Sequence, residues 1–129
     1  YNDAHRIIQI EENLETIEKA MNKIIVLSTQ NTPQSIQQTI RWTSTKEDHS
    51  IKTHSILSDY FLSQRIKHKN DNYTKQLIYL HKLYVSIMKC KQTVEIKNIT
   101  EARESLSYFC ELYFDTHGME HLKKLGYLK

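Results

Sequence analysis

The sequence predicts an all-α fold of five or six helices, arranged as a bundle or as a short stack of antiparallel helix pairs. The 129 residues include only two glycines and one proline, and strand-rich domains usually need both residue types for their turns. Apolar residues recur at spacings of three and four along most of the chain, which is the period of one helix face. The length fits a single domain, residues 1–129, with one core. Because the sequence starts at Tyr1 and not at methionine, we expect a fragment of a longer chain.

Residues 4–29 carry the clearest helical pattern. Glutamates lie early and lysines later, the order that the helix dipole favours. The apolar face widens toward the end of the helix, which predicts packing in a core. As an alternative, the first half of this helix could project from the body and self-associate as a homodimer through four residues of that face, Ile7, Ile10, Leu14 and Ile17.

Capping residues mark the next two helix starts. Thr32 suits an N-cap and Pro33 the first helical position, and this second helix is expected to reach Trp42. That tryptophan is favoured as a core anchor, with a partner-facing aromatic as the alternative. The segment Thr45–Asp48 has the character of a capping box and predicts a third helix over residues 47–66.

Three further helices are predicted in the second half of the chain. Residues 73–91 are the most apolar, so this fourth helix should be central. Residues 92–99 form a connector with a short extended piece, and Thr100 caps the fifth helix. Gly118 is expected to end that helix, and a short helix follows over residues 119–125.

The segment DTHGMEH, residues 115–121, holds two histidines and two carboxylates. A histidine pair spaced by four residues binds a metal ion only when both side chains lie on one continuous helix. Because Gly118 is expected to interrupt the helix, the sequence favours a joint between helices over a metal site.

No catalytic motif is present. The sequence contains no phosphate-binding loop, G-x-S-x-G elbow, H-E-x-x-H helix or C-x-x-C pair, and its seven histidines show no triad-like order. Cys90 and Cys110 fall inside predicted helices and are expected to be buried, reduced thiols, with a disulfide as the alternative. We therefore expect no enzyme, no cofactor and no metal.

The expected location is intracellular, nuclear or cytoplasmic. No run of residues approaches the ~20 apolar residues needed to cross a bilayer, so no membrane partner is predicted. Glycosylation sequons at Asn72 and Asn98 would fit a secreted protein, but such sequons also arise by chance in a chain rich in Asn, Ser and Thr.

Positive charge is concentrated in the middle of the chain, where residues 49–100 hold nine basic and three acidic side chains. This pattern predicts a non-catalytic interaction domain that binds an acidic or amphipathic segment of a protein partner. Nucleic-acid binding through residues 65–75 is the alternative, with lysines on phosphates and a tyrosine on a base. The candidate binding residues are Arg65, Lys67, Lys69, Tyr73, Lys75 and Trp42.

The segments Ser35–Trp42 and Lys75–Leu80 resemble helices of the domains that bind the RNA polymerase tail. The succession of helix pairs is also similar in outline to HEAT-type repeats. This resemblance implies a helical superhelix that binds peptides, and it assigns no functional residue.

Overall fold

A computed structural model describes residues 2–126 of the chain as an all-α fold, as predicted. It contains five α-helices: α1 (Asn2–Leu27), α2 (Pro33–Ser55), α3 (Tyr73–Gln92), α4 (Ile96–Tyr113) and α5 (Thr116–Lys124). A π-helix, Ile56–Arg65, follows α2 without a break. None of residues 2–126 forms a strand. The connector before α4 is shorter than the predicted residues 92–99, and Thr93 and Glu95 in it have extended backbone.

Two helical hairpins pack together to form the body. Short loops pair α1 with α2 and α3 with α4, and contacts of α2 with α3 and of α1 with α4 join the hairpins. One cluster of buried side chains fills the space between them, including Leu14, Phe61, Leu83 and Phe109. No helix among residues 2–126 has the length and apolar character required to span a membrane.

The apolar face of α1 lies in this core. Ile7, Ile10, Leu14 and Ile17 are all fully buried within the chain. Because these side chains already pack against the other helices, they leave no exposed face for a second copy, and the predicted self-association through them is not supported.

The far end of the first hairpin projects from the body. Ser35 is the one buried residue between positions 22 and 45, and it is buried because it forms a capping box with Thr32. The projecting part is therefore the end of α1, residues 22–27, with the first half of α2, whereas the sequence suggested the first half of α1. Trp42 is half-buried here, with the Lys19 ammonium 5.7 Å from its ring centroid.

Helix α2 begins as predicted at Pro33 but does not stop near Trp42. The hydroxyls of Thr43 and Thr45 bond to carbonyls four residues earlier and so remain within a continuous helix instead of capping a new one. The predicted third helix, residues 47–66, is the end of this same rod: its first part belongs to α2 and its second part is the π-helix Ile56–Arg65.

Helix α3 matches its predicted bounds closely, but it is not central. Ile78 and Met88 on its outer face are 46% and 40% exposed. Helix α4 begins at Ile96, four residues before the predicted cap at Thr100.

The joint between α4 and α5 differs from the prediction. Helix α4 ends at Tyr113, and Asp115 caps α5 by accepting a hydrogen bond from the Gly118 backbone N–H at 2.7 Å. Gly118 therefore lies inside the first turn of α5. A Cβ there would lie 2.9 Å from Phe114 Cδ1, so the glycine permits close packing and does not end a helix.

Lys46 links the two hairpins from a buried position. Its side chain is 4% exposed, and its ammonium donates to the carbonyls of Lys91 and Thr93 at 3.0 and 2.6 Å. These carbonyls lie at the end of α3, where backbone acceptors lack helical partners. Lys46 thus caps α3 from α2, although burial lowers the pKa of its ammonium.

Lys46→Met should destabilise the fold by about 1–3 kcal/mol, because it keeps the apolar stem but leaves two buried carbonyls without their donor. Urea denaturation measures this change in the free energy of unfolding. Lys52→Met, at an exposed position of the same helix, is the matched control. Equal, small effects of both substitutions would contradict the capping role.

Candidate functional site

A cluster of polar groups lies at the start of α1, with Asp3 at its centre. Both tyrosine hydroxyls of the cluster donate to the Asp3 carboxylate, Tyr60 to Oδ1 and Tyr113 to Oδ2, the latter at 2.8 Å. Arg65 Nε also donates to Oδ1, at 3.0 Å. We call Asp3, Tyr60, Arg65 and Tyr113 the Asp3 cluster.

The π-helix brings two members of the cluster together. Its hydrogen bonds join residues five apart, as in the bond from the Ile66 N–H to the Phe61 carbonyl, so Tyr60 and Arg65 lie one turn apart on the same side. The guanidinium carbons of Arg65 and Arg6 lie 4.9 and 5.1 Å from the Tyr60 ring centroid. Short π-helical segments occur often at functional sites.

The cluster changes the proton affinities of its members. Burial by itself would raise the pKa of Asp3, but the hydrogen bonds from Tyr60, Tyr113 and Arg65 outweigh it and hold that pKa below its ordinary value. Burial, followed by the bond to the carboxylate, raises the pKa of both tyrosines. The cluster therefore contains an ionised carboxylate and two neutral phenols at neutral pH.

An open cavity of about 640 Å³ adjoins the cluster. It lies between the start of α1, the end of α4 and the first turns of α5. Among its lining residues are Asp3, Arg65, Gln76, Tyr113, His117 and His121. This is the place in the described chain where charged and polar groups from the most elements converge.

The sequence-predicted binding residues separate into two groups in the structure. Arg65 belongs to the Asp3 cluster, Lys67, Lys69 and Lys75 are exposed close to it, and Tyr73 is half-buried at the start of α3. Trp42 lies roughly six helical turns before Arg65 on the same continuous rod, so it does not join them.

The sequence analysis identified none of Asp3, Tyr60 and Tyr113 as a candidate site residue. The two tyrosines are 57 and 110 positions from Asp3 along the chain, so no local motif connects them. The available signal was the single acidic residue in the first turn of α1 and tyrosines on otherwise apolar faces, since buried phenols need a hydrogen-bond partner.

Metal-binding groups are sparse in the described part of the chain. Between residues 2 and 126 no three histidine, cysteine or carboxylate side chains are grouped so as to hold a metal ion. Cys90 and Cys110 are free and fully buried, and burial raises the pKa of Cys90 to about 11 and that of Cys110 further. Neither thiol is thus available as an exposed thiolate ligand.

Asp3→Asn should destabilise the fold by about 1–3 kcal/mol at pH 7, because an amide has one acceptor oxygen for three donors. Since the folded pKa of Asp3 is depressed, its stabilising contribution is full above pH ~5 and declines as the pH falls below ~4. Stability curves of wild type and Asp3→Asn should therefore converge on acidification.

Thermal and urea unfolding from pH 3 to pH 7 tests this, with Asp71→Asn in an exposed loop as the control. A constant difference between wild type and Asp3→Asn across this range would contradict the assignment.

Comparison with known proteins gives one match. The family model for nickel-containing superoxide dismutase matches residues 1–117. Neither the curated proteins nor the solved structures contain a match to this chain.

This match corrects three predictions made from the sequence. The family consists of enzymes, so the expected non-catalytic interaction domain is wrong, and so is the expectation that the chain is not an enzyme. The alternative of nucleic-acid binding is also overturned.

The matched segment ends two residues into α5, so the rest of that helix, residues 118–124, lies outside it. It includes α1 to α4, and with them all four residues of the Asp3 cluster. Because the match extends over far more than half of the 129 residues, the chain belongs to the nickel-containing superoxide dismutase family.

Proposed function

We propose that this chain is the helical body of an enzyme that disproportionates superoxide, with its nickel bound by groups outside residues 2–126. The family match over residues 1–117 is the observation that carries the proposal. In the reaction, two superoxide anions and two protons yield dioxygen and hydrogen peroxide. The described residues would contribute a rigid support and an electrostatic field.

The described residues themselves do not fit a nickel centre. The soft thiolate ligands that a redox metal commonly needs are absent from their surface, because both thiols are buried in the core with raised pKa values. His117 and His121 supply two imidazoles, but no third metal-binding side chain of residues 2–126 groups with them. A nickel ion in this enzyme would therefore need ligands from outside residues 2–126.

The Asp3 cluster holds the helices together at the end of the bundle where α1 begins. It ties the first turn of α1 to the π-helix and to the end of α4 through three hydrogen bonds on one carboxylate. Hydrogen bonds from the two phenols to the ionised carboxylate are charge-assisted and therefore strong, whereas solvent screens the exposed Arg65 contact. Catalytic groups need support on rigid elements, and this end of the bundle offers the firmest one.

Three exposed lysines follow Arg65 along the chain. Lys67 and Lys69 are exposed in the loop directly after Arg65, and Lys75 is exposed on the first turn of α3. Superoxide is an anion. A patch of positive charge raises the rate at which a protein encounters an anionic substrate by about 10-fold or more at low salt. The basic residues that the sequence suggested for a macromolecular partner would thus attract the substrate.

The whole polypeptide produced with nickel should accelerate superoxide decay, and removal of nickel by a chelator should abolish this acceleration. Pulse radiolysis measures the decay, and elemental analysis of the same samples measures bound nickel. Circular dichroism of the nickel-free sample provides the control for folding. A folded, nickel-loaded protein that leaves superoxide decay unchanged would disprove the proposed activity.

Lys67→Glu combined with Lys69→Glu should lower kcat/KM for superoxide several-fold at low salt, and the loss should fade as ionic strength rises. The matched control is Lys23→Glu with Arg41→Glu, an equal charge change on exposed residues of the projecting hairpin. Equal losses of kcat/KM in both double variants would show that only the overall charge of the protein matters. No loss in either variant would refute electrostatic attraction of superoxide by Lys67 and Lys69.

A further inference from the structure

Helix α5 aligns two histidines that the sequence analysis expected to be separated. It runs without interruption from Thr116 to Lys124, so His117 and His121 lie one turn apart on one face. They are the only histidines of the chain spaced by four residues. This is the geometry in which two imidazoles on a helix bind one metal ion.

Both imidazoles are accessible and uncommitted. The two side chains are exposed and line the cavity beside the Asp3 cluster. No hydrogen bond or ion pair joins either ring to another of the residues 2–126. By contrast, the rings of His49 and His54 are held by Asn13 and by the Tyr84 carbonyl.

We propose that His117 and His121 form a two-ligand binding site for Zn²⁺, an ion of the borderline class of divalent transition metals, and not a redox nickel centre. Neutral imidazole is a preferred ligand of these ions, with metal–nitrogen distances of about 2.0–2.1 Å for zinc. The inference goes beyond the proposed function and does not depend on it.

The start of α5 is organised before any ion binds. Asp115 caps the helix through the Gly118 N–H, and the absence of a Cβ at Gly118 lets this turn pack against Phe114. Leu122 on the opposite face is fully buried and anchors the helix to the bundle. The histidines therefore lie on an anchored helix, which lowers the entropy cost of binding.

The site contributes two protein ligands and no more. No third histidine, cysteine or carboxylate of the described residues groups with the pair, and the Asp115 carboxylate already serves as a cap. Water would complete the coordination, so the affinity should be well below that of a structural four-ligand zinc site.

Isothermal titration of the 129-residue chain with Zn²⁺ tests the proposal, together with NMR of the histidine ring nitrogens. We expect one binding event that shifts the ring signals of His117 and His121 alone. His117→Ala or His121→Ala should each weaken zinc binding by at least about tenfold. His81→Ala, at an exposed position of α3, should leave it unchanged.

A variant with a changed histidine spacing tests whether zinc binding depends on the positions of the two histidines or only on the number of histidines in the chain. His121→Ala with Lys123→His keeps seven histidines but places the second one on a different face of α5, because six residues rotate by about 240° around a helix. It should bind zinc as weakly as His121→Ala. Both positions are exposed, and circular dichroism verifies that the variants fold.

Three results would each overturn the proposal. They are wild-type zinc affinity in the spacing variant, shifts of ring signals at other histidines, and no zinc binding at all. None of these outcomes bears on superoxide disproportionation, which is measured on the nickel-loaded whole polypeptide.

Discussion

Burial of the apolar face of α1 is the constraint on which the rest of the fold depends. Ile10, Leu14 and Ile17 are fully buried, and each such side chain contributes about 1.5–3 kcal/mol when it is removed from water. The face is in contact with α2, α4 and α5, so its position determines where the second hairpin packs. The same burial explains why this face cannot also serve as an interface between chains.

Polar contacts at the start of α1 join the helices that this apolar core packs together. Asp3 begins the buried face of α1, and its carboxylate accepts hydrogen bonds from the π-helix and from α4. The wider π-helical turn aligns Tyr60 with Arg65, which a regular α-helix would place about 140° apart. The unusual backbone and the polar cluster therefore depend on one another, and together they fix the end of the bundle that carries the cavity and the exposed lysines.

Local sequence signals predicted which segments are helical better than they predicted where each helix ends or how the helices pack together. The period of α1, the cap at Thr32 and the bounds of α3 were predictable because each rests on neighbouring residues. The continuity of α2 through Thr45 could not be predicted, because a threonine hydroxyl can either cap a new helix or bond back to a carbonyl within an existing one. Gly118 was assigned to a helix end, whereas close packing against Phe114 is what requires it.

The candidate site was less predictable than the fold. Arg65 was selected for its charge, but its partner Asp3 lies 62 positions away, and the tyrosines looked like ordinary core residues. Function was missed for a related reason: the described residues carry no complete metal-ligand set, so no catalytic motif stood out, and the family match supplied what the residues alone did not.

We propose that the described helices support a nickel centre whose ligands lie outside residues 2–126. Anomalous X-ray diffraction at the nickel edge, on crystals of the nickel-loaded whole polypeptide, tests it most directly. The account predicts a fully occupied nickel ion whose ligands come from outside the bundle, with Cys90 and Cys110 still buried as free thiols. A fully occupied nickel ion ligated by either of these cysteines, or by other side chains of residues 2–126, would contradict it.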